Sequence, residues 1–393
     1  MSLRTLILTS SYPPTMGGAE TYAHTLAHGL ARDGFDVVVV TDAVAGAPRD
    51  ERTDGVTVAR RDGYRALLAD PGKLPWEQLC FGLLPDLEDV LRDWRPHVVV
   101  ANSLECTVLG RIVADDLGVP LVGAYHEHDP RLEPFGAGRL SLGYRVLAPD
   151  LVLAGSTSYA ARALEHLPAE RVALVLHGVD TDVFDDRPEL RDQASAVRRR
   201  YGVQDHELLV VTSGRLKERK GHLELIRAFA SLRRTDAVLA VVGGVSSSSL
   251  EYADTLAETV AACTDARVVV DTTASLADMP AVLAASDVVA QPSRSEGLGL
   301  ALLEAMSMAR PVVATRIDGF DEVLGPDGPA VRVPVGDVDA IADALTTLLD
   351  DADLRRTLGA QAREHVLAGF SRRRMIASTA ALLEQVAATE AVR

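Results

Sequence analysis

The sequence predicts an α/β protein made of two doubly wound halves. The chain has 393 residues, which is long for one domain, and 47% of them are apolar, enough for two cores. Short apolar runs alternate with amphipathic segments, as in successive βαβ units. These runs are apolar throughout rather than at every second position, which indicates parallel strands that are covered on both faces.

The first half contains five apolar runs that predict strands, at residues 5–9, 37–41, 97–101, 121–124 and 151–154. Between the first two runs, residues 20–34 are amphipathic and end on a glycine, which is favoured just after a helix C-terminus. We therefore expect a Rossmann-like domain over residues 1–185.

The second half follows a turn-rich segment, residues 177–189, which interrupts the alternation. A helix is predicted at residues 222–234, and strands at residues 208–212, 237–242, 267–270, 288–290 and 311–315. We expect a second Rossmann-like domain over residues 186–370. Residues 371–393 predict a helix with an apolar stripe, which packs on its own domain or crosses back to the first: Ile376, Ala380, Leu383 and Val386.

Charge and hydropathy exclude several classes of protein. The net charge is −16, whereas a nucleic-acid partner would require a basic face. The N-terminal apolar run is too short for a signal peptide, and no window of about 18 apolar residues exists to span a membrane. The cysteines, Cys80, Cys106 and Cys263, lack metal spacing and are interpreted as reduced, buried thiols. We therefore expect a cytoplasmic protein.

Ligands of open parallel sheets bind beyond the carboxyl ends of the strands, so residues that follow strands are candidate site residues. Gly17 and Gly18 follow the first strand and precede a helix, where a ligand phosphate can approach the backbone. A plain βα loop is the alternative, and the missing GxGxxG pattern argues against a nicotinamide cofactor. His126 follows the strand at residues 121–124. It could bind a sugar hydroxyl or transfer a proton, and a solvated loop histidine is the alternative.

The loop after residues 208–212 carries Arg215 and Lys220 between glycines. A guanidinium and an ammonium beside a helix N-terminus suit a diphosphate. The intervening charged residues, Lys217, Glu218 and Arg219, are predicted to be solvated.

The segment at residues 292–315 contains two glutamates eight positions apart, Glu296 and Glu304, with Gly297 and Gly299 between them. We expect Glu296 at the entrance of a helix and Glu304 about two turns inside it. A helical rise of ~1.5 Å per residue separates them by roughly 12 Å, the length from a sugar across a diphosphate to a ribose. A purely structural helix is the alternative.

Five segments, in this order along the chain, resemble motifs of the retaining glycosyltransferases of family 4, which have the GT-B fold: PPTMGGAE, HGVDTDVF, SGRLKERKG, EGLGLALLE and PVVAT. The resemblance covers nearly the whole chain. It implies two Rossmann-like domains that face each other across a cleft, the first on the acceptor side and the second binding the nucleotide sugar. It also implies sugar transfer from a UDP- or GDP-type donor with retention at the anomeric carbon, and no cofactor or metal.

The resemblance implies a role for each matched residue. Arg215 and Lys220 would hold the diphosphate, which Gly18 would approach from the first domain. Glu304 would bind the ribose hydroxyls and Glu296 the transferred sugar, with His126 near the sugar and acceptor. The predicted catalytic residues are thus Glu296, His126, Arg215 and Lys220. The predicted donor site is a longer set: Gly17, Gly18, Arg215, Lys220, Glu296, Gly297, Leu298, Gly299, Leu300 and Glu304.

The sequence also departs from the family pattern. His177 and Ala309 stand where the family commonly has asparagine and glycine, and Gly319–Phe320 replaces a double glycine. The loop after Val242 lacks the usual acid, and Asp271–Thr272 replaces a glycine. The last two departures lie where base and sugar would sit, so the sequence leaves the donor open.

The leading hypothesis is a bacterial nucleotide-sugar-dependent hexosyltransferase. Residues 1–150 contain more acidic than basic residues, which disfavours an anionic membrane surface. A soluble small-molecule acceptor is therefore expected, as in natural-product or small-thiol biosynthesis. The alternatives are a lipid or polysaccharide glycosyltransferase of the same fold, a sugar-nucleotide epimerase and a non-catalytic sugar-nucleotide-binding subunit. Two metal-like patterns, Asp180–Asp182 and the pair His24 and His28, lack the context of a metal site.

Overall fold

The structure is a computed structural model, which describes residues 2–15, 18–62, 84–125, 138, 140–245 and 250–390. The chain divides into two compact units. Unit 1 comprises Met1–His177 together with Arg373–Arg393, and unit 2 comprises Gly178–Arg372. The sequence placed the junction near residue 185, slightly later than this division.

The described residues of unit 1 form an eight-stranded sheet in the order β3-β4-β2-β1-β5-β6-β7-β8. All neighbouring pairs are parallel except β3 and β4. The strands are β1 (Arg4–Leu8), β2 (Asp36–Asp42), β3 (Asp50–Thr53), β4 (Val56–Arg61), β5 (Val98–Ala101), β6 (Leu121–Tyr125), β7 (Leu151–Ala154) and β8 (Val172–Leu174). The helices are α1 (Gly18–Arg32), α2 (Leu84–Leu91), α3 (Leu104–Leu117) and α4 (Thr157–Leu164), with a π-helical segment at Ser141–Val146 and a 3-10 turn at Ala169–Arg171.

The sheet of unit 1 is buried on both faces, as the uninterrupted apolar runs predict. Ile7 of β1 packs into one apolar cluster, whereas its neighbours Leu6 and Leu8 pack into another. All three side chains are fully buried. Successive strand residues point to opposite faces, so a strand covered on both sides requires apolar residues at every position.

The described residues of unit 2 form a six-stranded, wholly parallel sheet in the order β11-β10-β9-β12-β13-β14. The strands are β9 (Leu208–Ser213), β10 (Ala237–Val242), β11 (Val268–Asp271), β12 (Val288–Gln291), β13 (Val312–Thr315) and β14 (Val331–Val333). The helices are α5 (Arg191–Arg200), α6 (His222–Ser231), α7 (Leu250–Ala262), α8 (Met279–Ala285), α9 (Leu300–Ser307), α10 (Asp318–Leu324), α11 (Val338–Asp350) and α12 (Ala352–Gly369). Short 3-10 turns lie at Pro188–Leu190, Glu218–Lys220 and Leu276–Asp278.

The order of this sheet reverses at one point. The chain runs outward from β9 to β10 and β11, and then returns to place β12 on the other side of β9. The connections after β9 and β12 therefore leave the sheet side by side at its carboxyl edge. Such a switch point is where open α/β sheets bind their ligands.

The C-terminal helix, α13 (Arg372–Glu390), packs on unit 1. Leu383 is fully buried there, and the Ile376 side chain lies against Gly29 of α1, where a Cβ would come within 2.2 Å of it. Of the two arrangements that the apolar stripe allowed, the structure shows the crossing back to the first unit.

Candidate functional site

The candidate site lies at the switch point of unit 2, where the loops after β9 and β12 touch. The amide of Arg294 donates to the carbonyl of Arg219 at 2.7 Å. Gly221 has a φ of +69°, and a Cβ there would lie 2.1 Å from the carbonyl oxygen of Pro292. Only glycine accommodates both this backbone conformation and this approach, so Gly221 lets the two loops meet.

A buried ion-pair cluster joins these loops. The Nζ atom of Lys220 lies 2.6 Å from Oε1 of Glu296, and Nη1 of Arg219 lies 3.0 Å from Oε2. The hydroxyl of Ser293 donates to Oε1 at 2.8 Å. Each carboxylate oxygen of Glu296 thus has its own cation, and only 9% of its side chain is exposed.

The charges of this cluster set the protonation state of Glu296. Burial alone would raise its pKa, but the charges of Lys220 and Arg219, with hydrogen bonds from Lys220 and Ser293, outweigh burial and hold the pKa below its usual range. His222, the first residue of α6, is fully buried nearby. Burial, with the charge of Lys220, lowers its pKa to about 3, against the opposing charge of Glu296. The site at neutral pH therefore contains an ionised Glu296 and an uncharged His222.

Glu304 lies closer to the start of its helix than the sequence suggested. Helix α9 begins at Leu300, so Glu296 precedes the helix and Glu304 is only its fifth residue. The prediction of a helix entrance at Glu296 is wrong, and the distance calculated from helical rise over all eight positions does not apply. Gly299 precedes the helix instead, in a left-handed conformation with a φ of +86°.

Glu304 has an electrostatic environment unlike that of Glu296. Burial raises the pKa of Glu304 to about 7, against the opposing charge of Lys220. Near neutral pH Glu296 is therefore ionised and Glu304 is partly protonated, although the charge of Lys220 lowers the pKa of both. Carboxylates with perturbed pKa values that share one cation are typical of functional sites.

Gly299 caps α9 in close contact with a residue that the family pattern lacks. A Cβ on Gly299 would lie 2.4 Å from the ring of Phe320, which is itself 1% exposed. Phe320 stands in place of the second glycine of the family's double glycine, and its ring fills the space behind the turn. The other predicted residues of this stretch flank the turn, with Gly297 partly buried, Leu298 buried and Leu300 opening the helix.

Arg215 is exposed and makes no ion pair within the described part of the chain. Gly18 is the first residue of α1 in unit 1 and faces open space. Gly17 and His126 lie outside the described residues.

Arg219 is the residue that sequence reasoning missed. The prediction of a solvated side chain is wrong, because its guanidinium also donates to the carbonyl of Ser295 at 2.9 Å. Its role depends on a contact between two loops that are 77 residues apart in the chain. A run of charged residues has no periodicity from which a contact with a distant loop could be predicted.

Three of the departures from the family pattern have a defined local environment. Asp271 accepts hydrogen bonds from Tyr201 at 2.8 Å and from the hydroxyl of Thr273 at 2.7 Å, and it pairs with Arg200, so its carboxylate is already engaged. Ala309 has a φ of +54°, the left-handed conformation that glycine adopts without strain. His177 is buried in unit 1 with its ring 4.8 Å from that of Tyr22, and burial lowers its pKa to about 4.

Other motifs that the sequence singled out serve local structure. Asp180 accepts from the amides of Asp182 and Val183 and pairs with Arg372 at 2.6 Å, which closes a turn. The rings of His24 and His28 pack 4.2 Å apart on α1. Cys106 is buried and Cys263 partly buried, both as free thiols, while Cys80 lies outside the described residues. No set of three potential metal ligands converges among the described residues.

Comparisons with known proteins connect this geometry to a family. Residues 194–365 match the model described as "Glycosyl transferases group 1", and residues 16–183 match "Glycosyltransferase Family 4". The GDP-mannose-dependent alpha-(1-6)-phosphatidylinositol monomannoside mannosyltransferase of Mycolicibacterium smegmatis is 31% identical over 407 residues, covering 96% of this chain and 97% of that protein. The chain belongs to glycosyltransferase family 4. A second relative of this family 4 glycosyltransferase, the D-inositol 3-phosphate glycosyltransferase of Kineococcus radiotolerans, is 32% identical and covers 88% of this chain and 85% of its own.

Solved structures show that the family 4 glycosyltransferase has the GT-B fold. Sucrose-phosphate synthase from Thermosynechococcus elongatus superposes with a TM-score of 0.81 at 20% identity, covering 98% of this chain and all of the other. HepE from Anabaena, in complex with UDP and glucose, gives a TM-score of 0.77 at 21% identity over 97% and 99% of the two chains. The predicted fold class is therefore confirmed. Within the described residues, every helix is too short or too polar to cross a membrane.

Proposed function

We propose that this family 4 glycosyltransferase transfers a hexose from a UDP- or GDP-sugar to a hydroxyl group of a small soluble acceptor, with retention at the anomeric carbon. The observation that carries the proposal is the contact between Lys220 and Glu296 at the switch point of unit 2. This contact places a cation suited to phosphate next to a carboxylate suited to sugar hydroxyls. Both lie where open α/β sheets bind nucleotides.

The donor diphosphate is assigned to Arg215 and Lys220. Arg215 is exposed and without an ion pair among the described residues, so its guanidinium is available to bind an incoming phosphate. The N-terminus of α9, preceded by Gly297 and Gly299, adds backbone N–H groups on the same side of the sheet. Negative charge grows on the diphosphate as the bond to the sugar breaks, so cations placed in advance lower the barrier.

The two glutamates are proposed to bind the two sugar rings of the donor, one each. Glu304 is proposed to accept hydrogen bonds from the ribose hydroxyls, and Glu296 from hydroxyls of the transferred sugar. The bond between the anomeric carbon and the diphosphate oxygen breaks while the acceptor oxygen bonds to that carbon. The acceptor proton passes to the leaving diphosphate, so no separate base is required. Gly17 and Gly18 are proposed to bind the donor diphosphate through their backbone, and His126 to act near the transferred sugar and the acceptor.

The acceptor is proposed to be a soluble polyol or sugar derivative. The name of the Kineococcus relative includes D-inositol 3-phosphate and that of the Mycolicibacterium relative includes phosphatidylinositol monomannoside, so both names contain an inositol unit. Residues 1–150 contain more acidic than basic residues, which favours a soluble inositol-type acceptor over a phosphatidylinositol lipid in an anionic membrane. The reaction fits bacterial natural-product or small-thiol synthesis in the cytoplasm.

A donor and acceptor matrix tests this proposal. Purified protein is incubated in EDTA with UDP- and GDP-hexoses and with D-inositol 3-phosphate, phosphatidylinositol vesicles or no acceptor, and products are resolved by mass spectrometry. The expected result is transfer to the soluble acceptor only, with proton NMR showing the same anomeric configuration in donor and product. Transfer only to the vesicles would indicate a lipid glycosyltransferase, isomerised donor without acceptor an epimerase, and donor binding without turnover a non-catalytic subunit.

A further inference from the structure

Lys220 faces two competing partners if the proposed function holds, and this inference rests on that function. Its side chain is only 11% exposed, and its ammonium group lies 2.6 Å from Glu296. A donor diphosphate at the same point carries more negative charge than one carboxylate. The ammonium group is therefore expected to turn towards the phosphates when the donor binds.

If the ammonium group of Lys220 turns away, Glu296 loses one of its two cationic partners. The carboxylate is largely buried, and a buried carboxylate without a cation is costly. The hydroxyl of Ser293 still donates to Oε1, but it carries no charge. One cation remains, because Arg219 contacts the other oxygen, Oε2, at 3.0 Å.

Arg219 is held in a way that does not depend on Lys220. Its Nη1 nitrogen donates to the carbonyl of Ser295 at 2.9 Å and to the carboxylate of Glu296 at 3.0 Å. Its own carbonyl accepts the amide of Arg294 at 2.7 Å. The backbone and the side chain of Arg219 therefore both form hydrogen bonds with the loop that carries Glu296.

We propose that Arg219 is a positioning residue, which keeps the carboxylate of Glu296 in place towards the transferred sugar while Lys220 serves the diphosphate. The two adjacent cations thus have separate roles: Lys220 stabilises the leaving diphosphate, and Arg219 positions Glu296. A misplaced Glu296 would bind the ground-state donor nearly as well but would stabilise the transition state poorly. Loss of Arg219 therefore lowers kcat more than it raises the KM for the donor.

Three variants of the full-length protein test this assignment. Arg219→Gln removes the charge but keeps hydrogen bonding, and Arg219→Lys keeps the charge. Arg234→Gln is the matched control, because Arg234 also lies in unit 2, is 22% exposed against 25% for Arg219, and pairs with Asp236 at 2.7 Å. Each variant is measured for kcat, for the donor KM, for binding of UDP and GDP by calorimetry, and for its unfolding temperature.

The expected result is a fall in kcat of about 100-fold for Arg219→Gln, with a much smaller loss of nucleotide affinity and a much smaller rise in donor KM. Arg219→Lys should recover part of kcat, and Arg234→Gln should keep it. The assignment is overturned if Arg219→Gln retains kcat, or if it loses nucleotide affinity in proportion to kcat, which would make Arg219 a phosphate ligand. Absence of both nucleotide binding and turnover in the unmodified protein would instead overturn the proposed function itself.

Discussion

The ammonium group of Lys220 and the carboxylate of Glu296 are 2.6 Å apart, although the two residues follow different strands of the unit 2 sheet. The pair exists because β9 and β12 are neighbours at the point where the strand order reverses. It links the residue proposed to bind the diphosphate with the residue proposed to bind the sugar. Substitutions that separate the two therefore test the site directly.

Glu296→Gln should tighten the binding of UDP or GDP while lowering turnover. A neutral amide attracts Lys220 less strongly, so less free energy is needed to turn the ammonium group towards phosphate. We expect a gain of about 1.4 kcal/mol, roughly tenfold in Kd, measured by calorimetry. Glu207→Gln is the matched control, since Glu207 is also buried and paired, with Arg267, but lies elsewhere in unit 2. Unchanged or weaker nucleotide binding by Glu296→Gln would show that the pair does not compete with the ligand.

Lys220→Ala should lower kcat by about 10² to 10³-fold, because it removes a cation from the developing charge of the leaving group. The comparison is Lys217→Ala, which removes a lysine from the same loop three positions earlier. Steady-state rates with saturating donor and acceptor measure both. Equal losses in the two variants would indicate a general effect of loop charge and would contradict a specific role for Lys220.

Glu304→Gln should stabilise the protein at pH 8 more than at pH 5. Burial raises the pKa of Glu304 to about 7 from an ordinary value of 4.5, so between these values the folded state binds more protons than the unfolded state. The free energy of unfolding therefore falls as pH rises through this window, and glutamine, which does not ionise, escapes the loss. Urea unfolding at both pH values should show a difference of about 1 to 3 kcal/mol.

The control for this pH dependence is Glu364→Gln on α12, where the side chain is exposed. It should change stability equally at pH 5 and pH 8. An equal change for Glu304→Gln would mean that Glu304 is ionised throughout this range and that burial does not shift it.

The strands that fill the two cores could be predicted from the sequence because they are continuous apolar runs. All ten predicted strands exist, with ends displaced by no more than about one residue. Four described strands were not predicted, namely β3, β4, β8 and β14. Two of them clearly lack such a run: β3 reads DERT and is mostly exposed, and β14 has only three residues with an arginine in the middle. Their formation depends on neighbouring strands rather than on their own composition.

The site could be predicted only as a set of residues, not as an arrangement. Strand ends and glycine turns predict that Lys220 and Glu296 lie near one sheet edge, and the two side chains are in contact there. The partner of each charge could not be predicted, because the contact of Arg219 with Glu296 depends on how two loops pack. The start of α9 was misplaced for a related reason, since Gly299 lies against the ring of Phe320, and this contact joins residues that are far apart in the sequence.

Ala309→Gly should raise stability, although glycine usually lowers it. Ala309 has a φ of +54°, which costs an L-residue about 1 to 2 kcal/mol. Glycine removes that strain at an entropic cost of about 0.5 to 1 kcal/mol, so the free energy of unfolding should rise by about 0.5 to 1 kcal/mol in urea titrations. Ala381→Gly, at an exposed position within α13, should instead lower it by about 1 kcal/mol. A loss of stability in both variants would refute the strained conformation at Ala309.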